Sequence, residues 1–63
     1  MSYEVRTYKT QSDYDNYNGV TAIDGITSKH DALQEGRLWL TDHEVVKVQS
    51  DDREFIELLH ATR

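Results

Sequence analysis

Residues 27–48, with the sequence TSKHDALQEGRLWLTDHEVVKV, decide the fold of this chain. In the first part, small and apolar residues recur at three- and four-residue spacing, which places them on one face of a helix: Ala32, Leu33, Gly36, Trp39 and Leu40. In the last part, three of the residues 45–48 are valine, which favours a buried strand. A helix followed this closely by a strand must fold back over a sheet to bury its apolar face.

The ends of this helix carry their own signals. Thr27 or Ser28 is a suitable N-cap, and Asp31 in the first turn opposes the positive end of the helix dipole. We expect the helix to end near residues 41–42. Gly36 costs about 1 kcal/mol relative to alanine inside a helix. Because it lies on the buried face, it predicts a close approach of the helix to the sheet.

The segments before the helix predict two strands. Residues 3–9 alternate, with Tyr3, Val5 and Thr7 on one face, which is the pattern of a half-buried strand. Residues 10–19 are polar and without periodicity, and predict a loop. Residues 20–23 predict a second strand, closed by residues 24–25, and residues 44–49 a third.

The last segment fits either a helix or a strand. A returning strand would pair Val48 with Ile56 and Val46 with Leu58. We favour a helix over residues 50–63 because its apolar residues fall on one helical face, and because its charges run from acidic to basic along the segment. A capping box formed by the first acids of the segment supports this choice, and the turn of a tight hairpin would require Gly or Asn. The apolar and capping residues are Asp51, Glu54, Phe55, Ile56, Leu58 and Leu59.

These elements predict one α+β domain over residues 1–63. The expected architecture is a two-layer sandwich in ββαβα order, with a three-stranded sheet and two helices on one face. A chain of 63 residues buries only about 60% of the surface that its unfolded form exposes, so its stability is marginal.

The overall charge limits the classes of partner. Twelve acidic and seven basic residues give a net charge of −5, which disfavours binding to nucleic acid or to anionic lipid. The charge favours a basic partner, or serves only to keep the chain soluble. The absence of cysteine and of a long apolar run predicts a protein of the reducing cytoplasm.

No group of residues specifies catalysis. Residues 13–24 resemble a calcium-binding loop but depart from its pattern at the fifth, sixth and twelfth positions. The three histidines lack the spacing of metal ligands, and the three glycines form no phosphate-binding loop. We therefore expect a protein that is not an enzyme and that binds no metal or cofactor.

Contact with another protein is the function that the surface residues favour. Tyr14 and Tyr17 lie in the polar loop beside Asp13 and Asp15, where they supply contact area for a basic partner or fold back over the sheet. The remaining acids concentrate between residues 42 and 57, with Asp51 and Asp52 at one end of the third strand and Asp42 and Glu44 at the other, about 17–20 Å apart. Those acids are Asp42, Glu44, Asp51, Asp52, Glu54 and Glu57.

In size, acidity and lack of cysteine and catalytic motifs, the chain resembles the small phage-encoded inhibitors known as anti-CRISPR proteins. That resemblance implies a monomer or homodimer that occupies a basic, nucleic-acid-contacting surface of a larger protein in the host cytoplasm, such as a CRISPR effector subunit. It implies a block of DNA binding by mimicry or by steric occlusion. The alternative is a small structural or regulatory protein–protein interaction module that could pair with a second copy.

Overall fold

The computed structural model describes residues 1–61 and confirms the α+β class. Its four strands form one antiparallel sheet in the order β2-β1-β3-β4. The prediction of three strands was wrong, because the last segment adds a strand and not a helix. The elements are β1 (Tyr3–Tyr8), α1 (Gln11–Asp15), β2 (Val20–Ile26), α2 (Lys29–Trp39), β3 (Val45–Ser50) and β4 (Ile56–His60).

Helix α2 begins where the sequence predicts. The side chain of Ser28 accepts a hydrogen bond from the backbone N–H of Asp31 at 3.3 Å, which satisfies one donor that the first turn leaves without a partner. The helix ends at Trp39, two residues earlier than predicted, and Leu40 is its C-cap. It packs across β1 and β3, the two central strands of the sheet.

The core lies between α2 and these central strands. Val5, Ala32, Val46 and Val48 are completely buried and form one cluster. Val5 lies opposite Val48 in the ladder between β1 and β3, so both side chains point to the same face of the sheet. Apolar side chains of the predicted helical stripe, among them Leu33, Trp39 and Leu40, are partly buried against this cluster.

Gly36 is the point of closest approach between α2 and the sheet, as its position on the buried face predicts. A Cβ atom at Gly36 would lie 3.0 Å from Leu59 Cδ1, 3.1 Å from Val48 Cγ2 and 3.3 Å from Val46 Cγ1. Two of these neighbours are completely buried valines, which have little room to move. Glycine therefore sets the distance between the two layers.

The final segment corrects the prediction of a helix over residues 50–63, of which residues 62 and 63 lie outside the described part of the chain. Residues 56–60 pair with β3 as an antiparallel strand. Val48 lies opposite Glu57 and Val46 opposite Leu59, one residue away from the register of the alternative strand prediction. This register directs Leu59 toward α2 and leaves Ile56 and Leu58 on the opposite face.

The turn between β3 and β4 forms without the Gly or Asn that a tight hairpin usually needs. Ser50 Oγ accepts a hydrogen bond from Phe55 N at 3.1 Å and donates one to Asp52 Oδ1 at 2.5 Å. Asp52 Oδ1 also accepts a hydrogen bond from Glu54 N at 3.0 Å. Arg53 takes the left-handed conformation that glycine usually takes, with a φ of 62°. Side-chain hydrogen bonds thus stabilise a turn that lacks the residues by which a tight hairpin is predicted from sequence.

The segment before α2 also differs from the prediction. Residues 10–19, predicted as a loop, contain the short helix α1, whose N-cap Thr10 accepts a hydrogen bond from Asp13 N at 3.1 Å. Strand β2 continues to Ile26 and does not end at residue 23. The predicted turn residue Gly25 lies within it at a φ of 73°, and the pairing with β1 contains two register shifts. Both shifts make the β2 edge irregular.

Candidate protein-binding surfaces

Three of the predicted contact residues lie together on the turn between β3 and β4, and we call them the acidic turn: Asp51, Asp52 and Glu54. All three are exposed. Asp51 accepts hydrogen bonds from Ser2 N and Ser2 Oγ at 3.3 and 3.4 Å, both at the surface. The hydroxyl of Ser50, followed by the backbone N–H of Glu54, lowers the pKa of Asp52 from its usual value. The turn therefore presents Asp52 as a carboxylate.

Four other predicted acids surround α1 at the opposite end of β3, and we call them the α1 acidic group: Asp13, Asp15, Asp42 and Glu44. Glu44 Oε1 accepts a hydrogen bond from Gln11 N at 2.8 Å, which joins the start of β3 to the start of α1. Asp15 Oδ1 accepts one from Gln11 Nε2 at 3.2 Å, and Asp42 Oδ1 lies 2.7 Å from His43 Nδ1. The fold thus brings acids from two distant parts of the sequence to one end of the molecule.

Glu57 does not join either group. It lies opposite Val48 in the sheet and is partly buried on the side that faces α2. Because Glu57 faces α2 and lies along the strand from the acidic turn, it does not share a surface with the other predicted acids.

The two loop tyrosines have different surroundings. Tyr14 folds back over the sheet and packs edge-on against Tyr8, with ring centroids 5.1 Å apart. Tyr17 is 90% exposed and takes the left-handed conformation, with a φ of 59°. A large exposed aromatic side chain is typical of contact surfaces. Tyr17 therefore remains the tyrosine that could contact a partner directly.

The acidic turn forms no ion pair with the basic side chains of residues 1–61. Within residues 1–61, one ion pair forms between a carboxylate and a lysine or arginine side chain. It joins Glu4 to Arg6 at 3.5 Å. The ammonium group of Lys29 lies over the Phe55 ring, 4.2 Å from its centroid. No Lys or Arg of the described chain lies within 4 Å of the carboxylates of the acidic turn. The negative potential at this end of the molecule is therefore exposed to solvent.

A hydrogen-bonded carboxylate lies on the sheet face that points away from α2, which we call the open face. Glu4 Oε2 accepts a hydrogen bond from Thr21 Oγ1 at 2.6 Å, and Glu4 Oε1 accepts one from Gln49 Nε2 at 2.6 Å. The Thr21 hydroxyl is the main cause that lowers the pKa of Glu4, with Gln49 and Arg6 adding to it against the opposing effect of burial. These bonds connect three strands across the open face.

The lowered pKa of Glu4 predicts a specific loss of stability in acid. Because the folded-state pKa lies below the unfolded value of about 4.5, the stabilisation is complete above that pH and is lost as pH falls through the folded-state pKa. We expect Glu4→Gln to flatten the dependence of unfolding free energy on pH below about 4.5, measured by urea unfolding. Glu54→Gln is the matched control, since no residue among 1–61 donates a hydrogen bond to the Glu54 carboxylate. Equal slopes for Glu4→Gln and the unsubstituted chain would contradict this prediction.

The clefts of the described chain are shallow. One, of about 380 Å³, lies beside the acidic turn and is lined by residues that include Glu4, Asp24, Asp51 and Arg53. Asp24 is not among the predicted contact residues, because only the fold brings it across from Asp51. Within residues 1–61, no three His, Asp or Glu side chains converge closely enough to hold a metal ion.

Comparisons with protein-family models, with curated proteins and with solved structures found no significant match to this chain. Neither helix in the described part of the chain has the length and apolar character needed to cross a lipid bilayer.

Proposed function

We propose that this protein is a non-enzymatic acidic inhibitor that binds a basic, nucleic-acid-contacting surface of a larger protein. The observation that carries the proposal is the exposed acidic turn, whose carboxylates have no Lys or Arg nitrogen within 4 Å among residues 1–61. Acids paired within their own molecule would offer little to a partner. Acids that remain unpaired attract lysine and arginine over a distance of about a Debye length, near 8 Å at physiological salt.

The arrangement of the acids supports competition with nucleic acid. The acidic turn and the α1 acidic group lie beyond opposite ends of β3, so about one strand length, roughly 17–20 Å, separates them. A protein surface that binds a nucleic-acid backbone carries basic side chains spaced along a similar path. Two negative groups on a rigid sheet can therefore contact several of those side chains at once.

Apolar contact adds to this charge pattern. Tyr17 extends from the loop after α1, close in sequence to Asp13 and Asp15 and 90% exposed. A tyrosine at such a place buries a large area at a small cost in side-chain entropy. We assign Tyr17 to the contact surface and Tyr14 to its support, since Tyr14 holds the loop against Tyr8.

Host-defence complexes of the CRISPR type are the targets that we propose to test first. Their effector subunits hold guide and target strands in positively charged channels. A small acidic domain that occupies such a channel blocks DNA binding by mimicry of the phosphates or by steric occlusion.

A binding assay with paired charge reversals tests the proposal. The test variant is Asp51→Lys with Glu54→Lys, which spares Asp52 because that residue stabilises the turn. The control variant is Asp31→Lys with Glu35→Lys on α2, which changes the net charge by the same amount. The probe is a panel of purified DNA-binding CRISPR effector complexes, measured by biolayer interferometry, with circular dichroism to check that each variant is folded.

We expect the test variant to bind at least about tenfold more weakly, chiefly through slower association, and the control to change little. Raising the salt concentration should weaken the unsubstituted protein in the same way. Binding that is unaffected by the test variant would show that the acidic turn is not the contact surface. An equal loss in both variants would show that only net charge matters.

A further inference from the structure

We propose that strand β4 pairs antiparallel with β4 of a second copy of this chain, with Leu58 at the centre of the two-fold axis. This inference concerns the edge of the sheet and does not depend on the acidic inhibitor proposal.

The two edges of the sheet differ in a way that selects β4. The ladder between β1 and β2 contains two register shifts, and such irregularities protect an edge from pairing with another strand. The ladder between β3 and β4 is regular over all five of its residue pairs. On β4, Ile56 is 53% exposed and Leu58 37% exposed. Exposed apolar side chains lie on both edges, so the regular backbone of β4 is what makes it the edge that accepts another strand.

The hydrogen bonds of β4 show which backbone groups are available. Ala61 N donates to Glu44 O at 3.0 Å, and Phe55 O accepts from Ser50 N at 2.9 Å, so the backbone N–H and C=O groups of the odd-numbered residues point toward β3. In an antiparallel strand, the backbone N–H and C=O groups of successive residues point alternately to the two neighbouring strands. The N–H and C=O groups of Ile56, Leu58 and His60 therefore point away from the sheet, along the free edge.

These outward groups fit a second copy in one register better than in any other. When Leu58 lies opposite Leu58, Ile56 lies opposite His60 at both ends, and all three outward residues of each strand form paired hydrogen bonds. A shift that centres the axis on Glu57 reduces these residue pairs from three to two and places two carboxylates opposite each other. The Leu58 register also keeps both α2 helices on one side, because residues that lie opposite each other point to the same face.

The position of the acidic turn favours the antiparallel direction. The acidic turn lies just before β4, at one end of the strand. Antiparallel pairing places the acidic turn of one copy toward the His60 end of the other, whereas parallel pairing would place two acidic turns side by side. A five-residue edge forms a small interface, so we expect a weak dimer that is populated at high protein concentration.

Single cysteines test the register directly, because the chain contains no cysteine of its own. Residues opposite each other in a hydrogen-bonded pair have Cα atoms about 5.5 Å apart, within the range that a disulfide spans. We expect Leu58→Cys to form a covalent dimer under mild oxidation by diamide at least about tenfold faster than Val20→Cys. Val20 is the matched control, since it is 66% exposed on β2, at the other edge.

Glu57→Cys distinguishes the alternative register, in which Glu57 would lie opposite itself. Faster cross-linking of Glu57→Cys than of Leu58→Cys would overturn the proposed register, and equal rates for Leu58→Cys and Val20→Cys would overturn the interface.

Sedimentation of the unsubstituted chain tests the dimer without any substitution. At concentrations up to about 1 mM we expect a reversible increase in mass toward that of a dimer, and we expect Leu58→Glu, which places two carboxylates opposite each other, to weaken it at least about tenfold. A monomer throughout this range would overturn the proposal, as would a Leu58→Glu dimer as strong as that of the unsubstituted chain.

Discussion

Replacing Gly36 by leucine is expected to lower the free energy of unfolding by about 3 kcal/mol or more. Even a Cβ at this position would lie 3.0–3.3 Å from Leu59, Val48 and Val46, so a larger side chain must push α2 away from the sheet. In a domain of this size the loss corresponds to a decrease in Tm of roughly 12–24 °C. Urea and thermal unfolding followed by circular dichroism measure both quantities.

Gln34→Leu is the matched control, because it adds a leucine to the exposed side of the same helix. We expect it to leave the free energy of unfolding within about 0.5 kcal/mol of the original value. Gly36→Ala should have an intermediate effect, because a gain of about 1 kcal/mol in helix propensity offsets part of the crowding. A Gly36→Leu protein as stable as the Gln34→Leu protein would show that the helix does not contact the sheet at this point.

Replacing Ser50 by alanine is expected to lower the free energy of unfolding by about 2 kcal/mol. Ser50 is 2% exposed, and its hydroxyl joins Phe55 N to the Asp52 carboxylate. Its removal leaves the backbone N–H of Phe55 without its acceptor at the start of β4. We expect amide hydrogen exchange to accelerate in β4 more than in β1, since the hydroxyl of Ser50 bonds to the backbone just before β4.

Ser12→Ala serves as the control, since it removes a hydroxyl from an exposed position on α1. Its expected effect on the free energy of unfolding is within about 0.5 kcal/mol. Unchanged protection of β4 in the Ser50→Ala protein would mean that the hydroxyl does not stabilise the turn.

The sequence predicts helix α2 and strand β3 at the centre of this fold, because each local pattern there is compatible with only one type of element. Thr27 and Ser28 both predict a cap at the start of the helix, where Ser28 is found, and Gly36 on an apolar face implies close packing. Val45, Val46 and Val48 favour a strand for reasons of side-chain shape alone. These local preferences agree with the packing that the fold then provides.

The last segment was predicted incorrectly because its apolar residues suit both structures. Two apolar pairs separated by Glu57 share a helical face, yet the same residues alternate across a strand. The turn sequence did not predict a hairpin either, since Arg53 occupies the position where glycine is usual. What decides the outcome is pairing with β3 and the hydrogen bonds of Ser50, and neither can be seen in the local pattern.

Sequence identifies the acids but not their individual surroundings. It cannot show that Glu44 bonds to the start of α1 or that Asp52 belongs to a turn. It also cannot distinguish the packed Tyr14 from the exposed Tyr17, because both lie in the same polar segment. Those differences depend on long-range contacts. They distinguish side chains that stabilise the fold from exposed side chains that are available to contact a partner.

The most direct measurement is a competition between this protein and duplex DNA for a CRISPR effector complex that binds it in the interferometry panel. We propose that both ligands need the same basic side chains, so saturating amounts of the protein should reduce DNA binding in proportion to its own occupancy. The Asp51→Lys, Glu54→Lys variant should compete at least about tenfold less well. A complex that holds the protein and DNA together, with neither affinity changed, would contradict the proposal.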